Sequence, residues 1–528
     1  MLTVKGNKLV WKITIHPFGG SSNRCNASVT PAGNMQTLPA PIGAVHIWRN
    51  HHCKILCRAL ALALALAGQA FHANAQTETN LYSFGGQPDG DQPRAGVIQG
   101  TNGNFYGTTY DGGTSNLGAV FRLTPGGSYT NIYSFGSQPF DGTHPSSGLI
   151  QGSDGNFYGT ATEGGTNLCG TVFRISLSGS YSNLYSFQGP TNDGQSPAVG
   201  LTRGNDGNFY GVTQGGGATG SGTVFRFTTN GTETMLYSFA GATNDGWQPL
   251  APLVLGSDGN FYGTTFFGGI TNIPSIGFGY VLGFGTVFRI SPGGSYQVLY
   301  YFGSKVPDGF APGQLVQASD GNFYGAALDG GTFTNRGAIF QITPGGSESL
   351  FYSFDIQPGE GLGAGSLMIG SDGNFYGTTT KGGTYDIGTV FRISPGGSET
   401  VLYSFGSQPN DGNEPLGGLI QANGGNLYGT TLKGGAGSDG MIFELTGAIT
   451  YPTNQITQIQ LAGTNVVLGI LSATGNTYQL QSTTNLVTAA WSNVTGASVT
   501  NSVGGLLYTT NFGGAVGPQR FYRFSISP

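Results

Sequence analysis

Charge is scarce in this chain. Only 9% of its 528 residues are Asp, Glu, Lys or Arg, with 20 basic residues against 25 acidic ones. No Lys/Arg cluster occurs in the middle of the chain, so the basic footprint that nucleic acid requires is missing. Histidine is equally rare, His144 being the only one after Gln76. Hydrolytic triads and His-based metal sites are left almost without material. Of four cysteines, Cys25, Cys53 and Cys57 lie near the N-terminus, and Cys169 stands alone in the remainder. One thiol makes neither an intrachain disulfide nor a Cys-based metal site, so packing must hold the fold. Cys169 falls in a variable loop and reads as a tolerated small residue rather than a redox group. Long apolar runs are missing as well. The run Ala59 to Ala67 is well short of the ~20 residues that span a bilayer as a helix.

That short run has a different context. It follows Arg49, Lys54 and Arg58 and precedes Ala73-Asn74-Ala75, the three-part layout of a secretory signal. Export with cleavage after Ala75 is expected, leaving no transmembrane span in the mature chain. The signal starts late and residues 1–45 carry no periodic pattern, which predicts a translation start downstream, at Met35.

What the chain has in abundance is glycine (96), phenylalanine (34) and tyrosine (25), with 25 prolines. Glycine and proline at this level without order would indicate disorder. Here they recur in register. The phrase Asn-Phe-Tyr-Gly, with Leu427 for Phe in the last copy, places Tyr106, Tyr158, Tyr210, Tyr262, Tyr324, Tyr376 and Tyr428 at intervals of 52, 52, 52, 62, 52 and 52 residues. A fixed period of this size marks repeats that bury their apolar faces only against one another.

Each repeat contains four short apolar or aromatic runs. In the second copy these are Gly148–Gln151, Asn156–Thr160, Gly170–Ile175 and Asn183–Phe187. Asp154-Gly155 separates the first two, and Pro-Gly-Gly separates the third and fourth in copies that begin it at Pro125, Pro292, Pro344 and Pro395. Both are hairpin signals, so consecutive strands should be antiparallel. Seven four-stranded units predict an all-β, seven-bladed β-propeller over residues 76–446, the radial arrangement that protects sheet edges. The first run, Leu81–Phe84, is a fourth strand and the last, Met441–Leu445, is a third. Pairing of 81–84 with the last blade should therefore close the ring. The Phe and Tyr of each phrase should point to opposite faces of their blade and pack on the two neighbours.

Acids recur at Asp89, Asp141, Asp193, Asp245, Asp308, Glu360 and Asp411, in the connections between blades. Two readings are open: a ring of carboxylates that gathers cations at the central opening, or Asx-type turns with a nearby Arg as partner. Arg122, Arg174, Arg226, Arg289 and Arg392 recur in the third strand. Asp-Gly-Asn lacks the further ligands of a calcium loop, so neither metal nor cofactor is expected.

Where the copies differ, function is expected. The fourth copy carries ten extra residues between its second and third strands, an uncharged insert from Ile270 to Phe284. With the adjoining connections it brings Trp247, Phe266, Phe267, Phe278, Tyr280 and Phe310 to one rim. These six are the candidate ligand-binding residues, suited to stacking on sugar rings or docking a protein. The alternative is that the insert buries itself over the channel or against the C-terminal segment. No catalytic residue stands out.

The period stops after Gly447. Residues 447–454 read as a linker and 455–528 as a small β-sandwich of alternating runs. Its phrase Tyr478–Leu486, with Trp491 and Phe521-Tyr522, resembles a C-terminal module of secreted bacterial proteins. The repeats themselves, through Asp-Gly-Asn-Phe-Tyr-Gly-Thr-Thr, Gly-Gly-Thr, Gly-Thr-Val-Phe-Arg-Ile and Leu-Tyr-Ser-Phe, resemble the GloVer tandem repeat of bacterial choice-of-anchor proteins over residues 81–446. The resemblance implies export and surface association, in an extracellular or periplasmic setting, and supplies no catalytic residues. The chain departs from such anchored proteins at Phe524–Pro528, where no apolar span followed by basic residues occurs, which argues against covalent or membrane anchoring. The expected role is a non-enzymatic propeller that binds an extracellular glycan or protein through its loop-bearing rim. The alternative is a carbohydrate-active lyase or glycoside hydrolase using rim carboxylates.

Overall fold

The computed structural model describes residues 76–449 apart from 191–192, 242–243, 270–282, 305–308, 333–335, 355–359 and 423–424. It also gives backbone strands on either side of that span. The chain divides into two units, Met1–Ala75 and Gln76–Pro528. In the first, Trp11–His16, Arg24–Pro31 and His46–Trp48 form a three-stranded antiparallel sheet that the aperiodic sequence did not suggest. The expected signal segment, Arg49 to Ala75, lies outside the described residues.

The second unit contains a seven-bladed β-propeller of antiparallel, mostly four-stranded sheets. Blade two shows the plan: Ile150–Gln151, Phe157–Ala161, Thr171–Ile175 and Tyr181–Ser186 pair in order. Beyond the second strand, a two-residue ribbon such as Gly142–Thr143 with Glu163–Gly164 extends the blade toward one face. In blades five and six the ribbon merges with the first two strands, giving the long strands Gly309–Gln317 and Gly361–Ile369. The seventh sheet takes its fourth strand from the start of the unit: Thr77–Ser83 pairs with Met441–Thr446, Asn80 opposite Phe443 and Ser83 opposite Met441. Phe84 then donates its N–H to Gly440 O at 3.0 Å.

Why the repeated phrase repeats is visible in the contacts. Each Tyr meets the Phe of the next blade: Tyr106 with Phe157 (ring centroids 4.2 Å), Tyr158 with Phe209 (4.5 Å), Tyr210 with Phe261 (4.0 Å), Tyr262 with Phe323 (4.0 Å) and Tyr324 with Phe375 (4.5 Å). Tyr376 packs in one cluster with Leu427, and Tyr428 returns to Phe105 of the first blade at 4.3 Å. Period-2 alternation along the strand sends the two side chains to opposite faces, so each seam buries the Tyr of one copy against the Phe, or in one case Leu427, of the next. The following Gly is fixed by the third strand. A methyl on Gly107, Gly159, Gly211 or Gly263 would lie 2.5 to 2.6 Å from the Cζ of Phe121, Phe173, Phe225 or Phe288, its cross-strand partner. The ring covers bare backbone, which only Gly permits.

The Thr after that Gly ties neighbouring blades. Thr108 Oγ1 donates to Ser147 O (2.7 Å), Thr160 to Val199 O (3.1 Å), Thr264 to Gly313 O (2.9 Å) and Thr430 to Ala95 O (3.0 Å), the last joining blade seven to blade one. Copies three and five carry Val212 and Ala326 there, and the Thr378 hydroxyl of copy six is buried without a hydrogen-bond partner, so the clasp is not required everywhere.

After the last blade strand, Ala448 and Ile449 are buried in the cluster around Tyr376, whose hydroxyl donates to Ala448 O at 3.3 Å. Farther on, the backbone forms two three-stranded antiparallel sheets. Ile456–Ala462, Asn465–Ser472 and Gly505–Asn511 make one, and Ser492–Thr500, Thr477–Thr483 and Phe521–Ser527 the other. No helix among the described residues is long and apolar enough to cross a membrane.

Candidate functional site

The face that carries the ribbons is built on one backbone device repeated seven times. Gln92, His144, Ser196, Gln248, Ala311, Gly363 and Glu414 all have φ between 53° and 65°. Each N–H bonds to a carbonyl of the preceding blade, as His144 N to Leu117 O (2.8 Å) and Gln248 N to Ser221 O (3.1 Å). In most copies its own carbonyl accepts the N–H of the residue before the ribbon, as Gln248 O from Phe266 N at 3.0 Å. Left-handed backbone at a non-Gly residue is costly and persists only where surrounding bonds impose it. Here both polar groups of the residue are claimed by backbone, so the side chain is free to vary. Six of the seven precede proline, where an extended conformation is the usual one. That contradiction kept this ring out of the sequence reading; the available signal was a variable residue before a proline that recurs in six of the seven copies.

Variation on this face is segregated by sector. At the same ribbon register, blade one pairs Asp91 with Asp111, blade two Thr143 with Glu163, blade seven Asn413 with Lys433, and blade four Trp247 with Phe267. Of the six aromatic candidates, Trp247, Phe266 and Phe267 are brought together. Trp247 and Phe267 lie 5.5 Å apart at 39°, and Phe266 meets Phe267 edge-on at 4.7 Å. Phe310 packs on Phe284 at 5.3 Å, at the start of blade five. All five rings are half-buried. Phe278 and Tyr280 lie outside the described residues.

Blades one and two hold a polar cluster that sequence reasoning passed over. The imidazole of His144 stands between two carboxylates, Nε2 3.5 Å from Asp111 Oδ1 and Nδ1 3.3 Å from Glu163 Oε2. It leans on Tyr110 (4.9 Å), whose ring also carries the Arg94 guanidinium at 3.3 Å. Gln92 bridges the two, donating to Asp111 (3.1 Å) and accepting from Arg94 (3.2 Å). Burial, then the charges of Asp439 and Asp111, pushes the Asp91 carboxyl upward. On the neighbouring sector Lys433 pairs with Glu414 at 3.0 Å. Among the described residues no group of three or more His, Cys, Asp or Glu side chains is arranged to hold a metal ion.

Among the described residues the recurring acids are not a ring of free carboxylates, and their partner is not arginine; Asp308 lies outside the described residues. Asp141, Asp193 and Asp245 are buried and accept the hydroxyl of a fourth-strand tyrosine: Tyr133 at 2.6 Å, Tyr185 at 2.8 Å and Tyr237 at 3.0 Å. Backbone donors complete the turn, as Gln188 N (2.7 Å) and Gly194 N (2.6 Å) do at Asp193. These acids do hold turn backbone, but through the N–H one residue on and one five residues back rather than the i+2 bond of an Asx turn, and the arginines are engaged elsewhere: Arg122 donates to Thr130 (3.2 Å) and Arg289 to Gln297 (2.7 Å). On the opposite face, Asp154, Asp206, Asp258 and Asp320 organise the Asp-Gly-Asn turns. Partial burial raises these carboxyls, but hydrogen bonds from the Asn two residues on and from the phrase tyrosine outweigh it and hold each below its ordinary value.

Fold and rim together define a seven-bladed propeller built from ~52-residue tandem repeats, with one recurring seam plan and a divergent face. The chain belongs to the Gloeobacter/Verrucomicrobia repeat family, whose pattern matches residues 67–278 and 275–485. No curated protein is significantly similar in sequence. Among solved structures, the extracellular domain of a protein described as a hybrid two component system from B. thetaiotaomicron aligns with 83% of this chain and 53% of its own, so this chain spans about half its length. The identity is 10% and the TM-score 0.43. A gluconolactonase from Xanthomonas campestris aligns with 70% of this chain and 99% of its own, at 12% identity and a TM-score of 0.33. Neither likeness carries an argument about activity.

Proposed function

We propose that this protein is an exported, non-enzymatic propeller that binds an extracellular glycan through its ribbon-bearing rim. One observation carries the reading: the same two-residue ribbon register presents Asp91 and Asp111 in one sector and Trp247 and Phe267 in another, while the Tyr-Gly of the second strand beneath is the same in all seven copies. Aromatic rings stack on the apolar faces of sugars, and nearby amide and carboxylate groups bond their hydroxyls. The insert of blade four adds Phe278 and Tyr280 to this surface in our reading. The strand Thr77–Ser83 closes the ring that keeps the sectors in register. The two C-terminal sheets face one another as a small sandwich that serves as attachment or spacer.

A glycan array probed with the purified chain tests this. Binding that falls at least tenfold in Trp247→Ala/Phe267→Ala, with unfolding unchanged, supports the reading. Capture of a protein with no glycan bound replaces the ligand class.

A second reading, a carbohydrate-active enzyme, is favoured by the placement of His144 between Asp111 and Glu163, an arrangement that can hold and pass a proton. Product formed from a polysaccharide panel and lost in Asp111→Asn or Glu163→Gln would establish it over simple binding.

A further inference from the structure

The seams between blades repeat a second arrangement, at the first residues of the fourth strand. Tyr129, Tyr181, Glu233, Tyr296, Glu348 and Glu399 occupy one register position, opposite Leu123, Ile175, Phe227, Ile290, Ile342 and Ile393; Glu78 opposite Leu445 is the seventh. Where the residue is Tyr, its hydroxyl faces the turn acid of the preceding blade, and Tyr296 donates to Asp245 Oδ1 at 2.9 Å. Its ring stacks on the tyrosine that holds the other oxygen: Tyr237 on Tyr296 at 3.7 Å, Tyr133 on Tyr181 at 4.2 Å.

Where it is Glu, a carboxyl takes the place of that hydroxyl against the same kind of acid. Glu233 faces Asp193 and Tyr185; Glu78 faces Asp411 and Tyr403; Glu399 faces Glu360, itself bonded to Tyr352. None of these groups is a cation. One oxygen of each of Glu78, Glu233 and Glu399 is buried without a hydrogen-bond partner. Two of the facing acids, by contrast, are well supplied with donors: Asp411 accepts from Tyr403 (2.7 Å), Gly406 N (2.7 Å), Ser407 N (3.0 Å) and Gly412 N (2.8 Å), and Asp193 from Tyr185, Gln188 N and Gly194 N. At each of these seams the glutamate with the buried, unpartnered oxygen is the carboxyl that burial disfavours as an anion. A cation between them is disfavoured, since those donors present positive ends to the same oxygens.

We propose that Glu78, Glu233 and Glu399 are neutral carboxylic acids in the folded propeller, each able to offer its proton to the neighbouring blade's carboxylate as tyrosine does at other seams, so that the ring is tightest in acidic surroundings and its seams weaken toward neutral pH. Burial first, and then the facing carboxylate for Glu78, Glu233 and Glu399 alike, raises each carboxyl from 4.5 to about 7, against the lowering effect of the tyrosine bond at Glu78 and Glu233. A folded value above the unfolded one gives stability that is complete below pH 4.5 and is lost as pH rises to about 7. Glu78 lies on Thr77–Ser83, so the strand added from the start of the unit shares this dependence.

The test is unfolding of the whole chain followed from pH 4.5 to 8.5, for the wild type and for Glu78→Gln/Glu233→Gln/Glu399→Gln, whose amides donate without titrating. The wild-type unfolding equilibrium should climb by at most tenfold per pH unit for each glutamate up to about pH 7 and then level off. The triple variant should lose that slope. Equal slopes in both proteins, or a wild type that gains stability over this window relative to the variant, overturn the proposal. Should the triple variant not fold, Glu233→Tyr, which copies blades one, two and four, must flatten its share of the slope. Infrared spectra of the wild type must also show protonated carboxyl groups at pH 6 that vanish by pH 8.5; their absence at pH 6 refutes the assignment.

Discussion

Replacing Gly263 by Ala probes the packing that makes every blade alike. A methyl group there would stand 2.5 Å from Phe288 Cζ and 2.8 Å from Leu253 Cδ2, where carbon atoms ordinarily rest about 3.5–4 Å apart. The Phe288 ring must withdraw by about 1 Å, yet it is fully buried in a cluster with Phe239, Phe261 and Tyr210. Overpacking of this kind costs about 1–3 kcal/mol. Stiffening of the unfolded chain by Gly→Ala returns only about 0.4–1 kcal/mol, so strain wins. Gly126→Ala is the control, because nothing lies within 4 Å of its added methyl and its φ is not left-handed; it should be neutral or slightly stabilising. Urea unfolding of the two variants, together with Phe288→Leu and Gly263→Ala/Phe288→Leu, completes the cycle. The double variant should regain at least about 0.5 kcal/mol relative to additivity. If Gly263→Ala is as stable as Gly126→Ala, or the cycle is strictly additive, the ring-on-glycine account is wrong.

Thr264→Val removes the donor to Gly313 O while keeping shape, and should cost about 1–2 kcal/mol; Val212, already apolar at this position, is the natural comparison, and its replacement by Ala should follow cavity costs instead. The four turn aspartates held below their ordinary value contribute stability that is present above pH 3.8 and lost as pH falls through their lower folded values. Acid unfolding of Asp154→Asn/Asp206→Asn/Asp258→Asn/Asp320→Asn should therefore be shallower than that of the wild type between pH 4 and 2, and an unchanged acid limb would contradict the assignment.

The blade plan was legible because it is written in residues whose constraint is local and repeated. Gly107 and its equivalents, the Asp-Gly turns and the alternating Phe and Tyr each answer to a contact that recurs every repeat. The rim was harder to read. Gln92, His144 and Gln248 sit in left-handed backbone ahead of proline, a conformation imposed by bonds to the preceding blade that no local propensity signals. His144 looked isolated because Asp111 and Glu163 reach it from two different blades. The seam acids were placed in turns, but their tyrosine partners lie eight residues away in sequence, as Tyr133 does from Asp141, and the carboxyl pair of Glu78 with Asp411 spans the length of the propeller.

The central claim is that ligand recognition resides on the one face where equivalent positions diverge. Titration of the glycan ligand selected by array into the wild type, Trp247→Ala/Phe267→Ala and Asp258→Asn, at the other end of the same strand, measures it most directly. Affinity should drop at least tenfold in the rim variant alone, with all three proteins equally folded. Equal affinity in the rim variant, or loss confined to Asp258→Asn, would contradict the account.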